Sequence, residues 1–365
     1  MSTADANTAP GAVSPLRSVH STNLPGILSQ LGICLFVSTY QAGRLVIVRP
    51  EPEGGLNTHF FGFSRPMGLA VDINRLLVGT QSTIDEFRNV PALCQRLTPP
   101  DRHDAAYVWR NTHVTGAIDI HEMATGADGR WYFVNTAFSC LCVMDHEHSF
   151  VPVWRPSFVS SYAPEDRCHL NGLGMVDGQP RWLTALGQTD RPQGWRENKK
   201  DGGILLDLSS NEIIARGLSM PHSPRWYRKQ LWLLESGRGA LIRIDPASGQ
   251  KTTVAQLPGF TRGLSFAGPL AFIGLSQLRE SNAFTDIPIT DELNQRACGV
   301  WVVHIDSGET VALLRFEESV QEIFAVEVAP VRFPELVGLD NELLKSTFVL
   351  PDEALAETRF SDLQS

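Results

Sequence analysis

The stretch Met67–Thr80, MGLAVDINRLLVGT, decides the fold. Two short apolar runs, MGLAV and RLLVG, flank the turn residues Asp72, Ile73 and Asn74, a pattern that predicts two antiparallel strands joined tightly. The same pattern returns as HEMATGADGRWYFVNT from His121, NGLGMVDGQPRWLTAL from Asn171, HSPRWYRKQLWLLES from His222 and RGLSFAGPLAFIGLS from Arg262. A last first-half, EIFAVEVAP, starts at Glu322 with no second half behind it. The starts lie 54, 50, 51, 40 and 60 residues apart. A period near fifty residues with four short strands per unit is the signature of propeller blades.

Working outward, each pair is followed by two further strand-like runs. After His222 these are ALIRID and KTTVAQL, separated by PASGQ; after Arg262 they are CGVWVVHID and ETVALLRF, separated at Ser307 and Gly308. The inner strand after Glu322 lacks partners downstream, but the chain's beginning offers three: ICLFVST, RLVIVRP and THFFGF. The fold expected is therefore all-β, a six-bladed β-propeller whose ring closes by joining a C-terminal inner strand to N-terminal outer strands. Closure removes the sheet edges that would otherwise template aggregation. The expected boundaries are a mobile segment at 1–25, the propeller at 26–330 and an extension at 331–365 packed on its outside. Regular strand spacing also fits two β-sandwich domains, the competing architecture.

Composition agrees with one folded unit. Of 365 residues, 42% are apolar and 19% charged, which suits a buried core and not a disordered chain. A net charge of −9, with only Arg196, Lys199 and Lys200 as a tight basic run, argues against nucleic acid, whose phosphates demand clustered cations. Residues 1–22 are small and polar with no apolar signal core, and no run of eighteen apolar residues occurs, so neither export nor a membrane is expected and a cytoplasmic site is. The six cysteines read as small core residues; Cys140 and Cys142 should share one strand face. The Cys168–His169 pair is a poor thiol dyad, since neighbours on a strand face opposite ways.

Blade topology then says where function lies. The start of every innermost strand and the end of every second strand share one face, called the top. Long connections fall there: GQTDRPQGWRENKKDG in the fourth blade, SQLRESNAFTDIPITDELNQRA in the sixth, and RPSFVSSYAPEDR before Cys168. The excursion RNVPALCQRLTPPDRHDA should sit at the bottom. Long loops on a rigid scaffold usually carry binding and catalysis.

Inner strands open on Met67, His121, Asn171, His222, Arg262 and Glu322, and second strands end at Thr39, Thr80, Asn135, Gly187, Glu235 and Ser276. Polar groups converging on a channel must pair or bind something. His121, His222 and Glu322 are the candidate acid–base residues, since imidazole titrates near neutrality and a desolvated carboxyl can be raised toward it. His121, Asn171, His222 and Glu322 are candidate ligands for one divalent metal. Arg262 and Arg65, with Arg196 and Arg225, suit an anionic substrate, guanidinium matching carboxylate in two-pronged geometry, although blade-to-blade ion pairing explains an arginine equally well. Asn135 and Glu235 would add ligand contacts, and Trp195 could close over the ligand. His121 and Glu122 do not continue into H-E-x-x-H, and no phosphate loop, dinucleotide fingerprint or G-x-S-x-G elbow occurs, so no nucleotide cofactor is expected.

The segments FVSTYQAGRLVI, DIHEMA, FVNTAFSCLCVMD, PEDRCHLNGL, GWRENKKDGG, GLSMPHSPRW and LPGFTRGL resemble a bacterial family of conserved hypothetical proteins, domain of unknown function 4915, over roughly residues 25–350. The chain is more distantly similar to gluconolactonase and regucalcin-like six-bladed propellers. That similarity implies a divalent metal held in the channel by glutamate, asparagine and aspartate. Glu322 and Asn171 stand at comparable positions, while His222 occupies a place where an aspartate would be sought.

The expectation is an enzyme of hydrolase, isomerase or lyase type, acting on a small polar or anionic molecule at the top mouth, with or without a metal. The alternatives are a non-catalytic propeller binding a peptide, glycan or partner protein, and a maturation factor. The sequence leaves the oligomeric state open.

Overall fold

The computed structural model describes residues 16–277, 287–292 and 296–358. Six sheets form the blades, each with four antiparallel strands ordered from the axis outward. Blade 1 is the seam: Ala325–Ala329 pairs with Cys34–Thr39, followed by Arg44–Pro50 and Leu56–Gly62. Blade 2 comprises Leu69–Val71, Arg75–Gly79, Thr83–Asn89 and Ala105–Val114. Blade 3 comprises Ile120–Thr125, Trp131–Asn135, Cys140–Val143 and Val151–Trp154. Blade 4 comprises Leu170–Val176, Gln179–Ala185, Gly203–Asp207 and Glu212–Leu218. Blade 5 comprises Pro221–Tyr227, Gln230–Glu235, Ala240–Ile244 and Lys251–Gln256. Blade 6 comprises Phe260–Ala267, Leu270–Ser276, Gly299–His304 and Thr310–Phe316.

The core lies between faces of successive blades. Phe36 and Ile47 of blade 1, Phe87 and Tyr107 of blade 2 and Phe133 of blade 3 share one buried cluster. Cys140 and Cys142 join it with sulfurs 3.5 Å apart, both free thiols on one strand face as the spacing required. Near the axis the inner strands crowd. A β-carbon on Gly68 would lie 1.8 Å from the His121 carbonyl oxygen, and one on Gly172 would lie 2.1 Å from Thr184 Oγ1. Glycine is required there by space, against backbone at Gly68 and against side chains at Gly172.

Both ends of the propeller reach further than 26–330. Ser18–His20 adds a fifth strand to the outer edge of blade 6, and Leu24–Leu31 is a helix that buries Leu24 and Leu28. The end of the segment expected to be mobile is therefore tied to the ring by a backbone ladder and apolar burial; residues 1–15 lie outside the described residues. Pro334–Val337 runs parallel to Ala105–Val108 at the edge of blade 2. Its lead-in residue Phe333 sits between two guanidinium groups, Arg49 at 4.1 Å and Arg102 at 4.2 Å from the ring centre. The rest of the extension holds short helical segments at Glu342–Ser346 and Asp352–Ala356. No helix of the described residues is long and apolar enough to cross a membrane.

Candidate functional site

A cavity of about 260 Å³ opens at the top mouth, where inner strands begin. His121, His222, Arg262 and Glu322, which open repeat units, line it together with Trp195 from the fourth-blade loop. Glu322 does so from the lead-in to blade 1, not from the strand itself, which starts at Ala325. Two hydroxyls hold that lead-in, one from blade 6 and one from blade 1 itself: the Ile323 amide donates to Ser276 Oγ at 2.9 Å and the Ala325 amide to Ser38 Oγ at 3.0 Å.

Blades 3 and 5 build their histidines alike. His121 Nδ1 donates to the Asp119 carbonyl at 2.9 Å and lies 2.8 Å from Thr136 Oγ1. His222 Nδ1 donates to the Met220 carbonyl at 3.0 Å and lies 2.9 Å from Ser236 Oγ. A carbonyl can only accept, so Nδ1 carries the proton in both rings and Nε2 keeps the lone pair. The carbonyls are aimed by a shared backbone device. Asp119, His169 and Met220 each stand two residues before the equivalent positions His121, Asn171 and His222, and adopt left-handed φ values of 52°, 51° and 46°. Such values cost a non-glycine residue free energy and recur at functional sites.

Burial, then the Arg262 charge, then His169, push His121 and His222 well below the usual imidazole range, so both are neutral at pH 7. His121 Nε2 is buried without a hydrogen-bond partner among the described residues. The third imidazole is His169, whose Nδ1 donates to Asp166 at 2.9 Å; Trp195 Nε1 holds the same carboxylate at 2.9 Å. His169 packs at 5.0 Å from His121 and 4.5 Å from Trp195 between ring centres.

Arg262 lays its guanidinium over Phe324, 3.5 Å from the ring centre. No carboxylate lies within ion-pair distance of it among the described residues. Burial lowers it to about 10, only partly offset by the more distant Asp119 and Glu322, so it remains a cation at pH 7.

Four expected site residues lie elsewhere. Asn171 is outside the cavity wall, its Oδ1 taken by Thr184 Oγ1 at 2.6 Å. Asn135 accepts the Phe138 amide at 3.0 Å and closes a turn. Glu235 accepts Lys251 Nζ at 2.8 Å, Arg238 Nε at 3.2 Å and the Ser219 amide at 3.0 Å, an ion-paired anchor within blade 5. Arg65 is exposed and stacks on Tyr40, 5.3 Å from the ring centre, outside the wall. The four-ligand metal set therefore does not converge, and the Arg262 charge beside both histidines opposes a dication. Among the described residues no group of three or more His, Cys, Asp or Glu is arranged to hold a metal ion. Cys168 is buried with its thiol pushed up to about 12, as befits a packing residue.

Sequence reasoning missed Tyr40, Asp119, His169, Phe260 and Phe324 of the wall. Aligning the repeats two positions ahead of His121, Asn171 and His222 would have exposed Asp119 and His169. The aromatic members carry no such signal. Of the fourth-blade loop, Trp195 and Arg196 reach the wall; the sixth-blade loop lies largely outside the described residues.

At the opposite end, a second cavity of about 350 Å³ is lined by Asp72, Met123, Leu173, Arg225, Trp226 and Glu327 among others. Its floor is an ion-paired bridge. Arg225 donates to Glu122 at 2.8 Å and to Glu327 at 3.2 Å, while Glu122 accepts the Leu173 amide at 2.6 Å and Glu327 accepts Ser265 Oγ–H at 3.2 Å. One guanidinium thus joins inner strands of five blades. Burial would lower Arg225, but the two carboxylates outweigh it and hold it above its usual value. Burial raises Glu327 to about 7 despite Arg225.

These features define a six-bladed β-propeller with a polar, ring-lined cavity at one mouth. The chain belongs to the family described as Domain of unknown function (DUF4915), whose model matches residues 22–337. Among solved structures it is similar to a chain of a nidogen/laminin complex, with TM-score 0.52 and 10% identity, covering 81% of this chain and 98% of that one. It is also similar to a protein of unknown function from Bacteroides caccae, with TM-score 0.48 and 8% identity over 81% of this chain and 98% of that one. No curated protein matches it in sequence.

Proposed function

We propose that this chain is an enzyme acting on a small anionic molecule held at the top mouth. One observation carries the reading: Arg262 faces the cavity as a desolvated cation with no carboxylate in reach among the described residues. A cation taken from water costs several kcal/mol unless an anion answers it, and guanidinium answers carboxylate best. In this reading Arg262 anchors the substrate. His121 and His222, neutral with Nε2 as the atom bearing the lone pair, accept a proton or a hydrogen bond from it. Glu322 and Asp119 line the same wall, offset part of the Arg262 charge and orient polar hydrogens of the substrate. No step is routed through a metal. The free state of all six cysteines suits a reducing compartment, and the cytoplasm is part of this proposal.

The test is incubation of wild-type protein and Arg262→Met with a small-metabolite extract, followed by mass spectrometry. At least one anionic species should be consumed by the wild type and spared by the variant. A species bound in an Arg262-dependent way yet left unchanged would make the chain a binding module instead.

A further inference from the structure

The top cavity carries more information than the charge of its ligand. Its wall is built from rings: Tyr40, Trp195, Phe260 and Phe324 beside the three imidazoles. They contact one another, His121 with Phe324 at 4.9 Å and His222 with Phe260 at 5.7 Å between centres. These contacts are tilted or edge-on, 86° between His121 and His169 and 73° between His222 and Phe260, so the wall presents both ring faces and ring edges, which a planar ligand can meet in stacked or edge geometry without losing rotamer freedom. The volume, about 260 Å³, is just below the range of drug-sized pockets and limits the occupant to one or two rings.

Beside the Tyr40 hydroxyl, which can donate or accept, the hydrogen bonds of the described residues leave the wall richer in acceptors than in donors. The imidazole Nδ1 hydrogens are spent on Asp119 O, Asp166 and Met220 O, and the Trp195 Nε1 hydrogen is spent on Asp166. His121 and His222 therefore offer lone pairs, and Asp119 and Glu322 add carboxylate acceptors. Arg262 is the charged donor within the wall, with Arg196 at the exposed rim. The complement is a molecule with a carboxylate at one end and O–H or N–H donors at the other. A buried acceptor left unanswered is costly, which makes the missing donor a basis for rejection. The unpaired, buried His121 Nε2 is such an acceptor.

We infer that the cavity takes a planar aromatic carboxylate bearing at least one hydroxyl or amine donor. The inference rests on the anion reading above and narrows it. Isothermal titration at pH 7.5 compares 4-hydroxybenzoate, benzoate, malate and inorganic phosphate on wild type, Arg262→Met and Arg262→Lys, with circular dichroism checking that the variants fold. 4-Hydroxybenzoate should bind tightest, benzoate roughly tenfold weaker for want of its donor, and malate and phosphate at least about a hundredfold weaker. Arg262→Met should lose 4-hydroxybenzoate about a hundredfold, and Arg262→Lys less. Malate or phosphate binding as tightly as 4-hydroxybenzoate, and still dependent on Arg262, would overturn the aromatic class while leaving the anion reading intact. Equal binding of benzoate and 4-hydroxybenzoate would overturn the donor requirement. Absence of Arg262-dependent binding for every probe would remove both.

Discussion

Two arginines face the same channel from adjacent blades and are treated in opposite ways. Arg225 at the bottom is held between Glu122 and Glu327, and its charge is favoured more than in water. Arg262 at the top has an aromatic face beneath it and no ion pair among the described residues, and its charge is disfavoured. Burial opposes the charge of both, and the two carboxylates that accept hydrogen bonds from Arg225 have no counterpart at Arg262 among the described residues. A cation with its counter-charges built in is a strut. One without them fits the proposed role of Arg262, whose burial cost an anionic ligand would relieve.

The sharpest way to break this comparison is to delete each guanidinium. Arg225→Met leaves two carboxylates facing each other across the channel and should cost about 3–5 kcal/mol of unfolding free energy in urea titrations. Arg262→Met should leave the ligand-free protein within about 1 kcal/mol of wild type, or stabilise it, by removing an unanswered charge. Equal losses from the two variants would show that both are struts.

The next test uses the bottom bridge. Glu327 is raised to about 7, so between its ordinary value and about 7 the folded state holds the proton more tightly. Its contribution is present at low pH and lost as pH rises through about 7. Glu327→Gln should abolish that loss and stabilise the protein at pH 8 by about 2 kcal/mol, discounted for the side chain's partial exposure. An unchanged pH dependence in the variant would contradict the raised carboxyl.

The top behaves with the opposite sign. His121 and His222 are depressed when folded but ordinary when unfolded, so the unfolded chain takes up protons first as pH falls below about 6.5. Stability should then fall by up to about 1.4 kcal/mol per pH unit for each histidine. His222→Asn, whose amide can still donate to the Met220 carbonyl, should remove about half of that slope in chemical denaturation between pH 6.5 and 5. The smallest effect belongs to Arg65→Ala. An exposed cation on Tyr40 should contribute less than about 1 kcal/mol and leave anion binding within twofold. A tenfold loss of binding would place Arg65 in the site after all.

The repeat made the ring legible, because hairpins recurring near every fifty residues leave few ways to bury both sheet faces. It also made part of the top cavity legible: His121, His222 and Arg262 sit where the repeat said inner strands begin. It failed where a residue type has two uses. Glu235 and Asn135 occupy the expected ends of second strands, but one is consumed by Lys251 and Arg238 and the other by a turn amide, partners that periodicity does not disclose. His169 was hidden because alternation along an ideal strand was applied to a residue with left-handed backbone just before the strand begins. Arg225 and Arg262 were equivalent on paper; only contacts across blades separate them.

The seam of blade 1 has a consequence for how the molecule is made and cut. Cys34 leaves the ribosome early but must wait for Ala329, its partner in the inner strand, while the other five blades can each fold soon after emerging. A premature stop just after Phe316 would therefore damage the chain's opening strands more than its final ones. Blades 2 to 6 would keep their four-stranded frames, while Phe36 and Val37 would be left on a sheet with an open edge. The lesion would appear at the N-terminal end of a protein truncated at its C-terminal end.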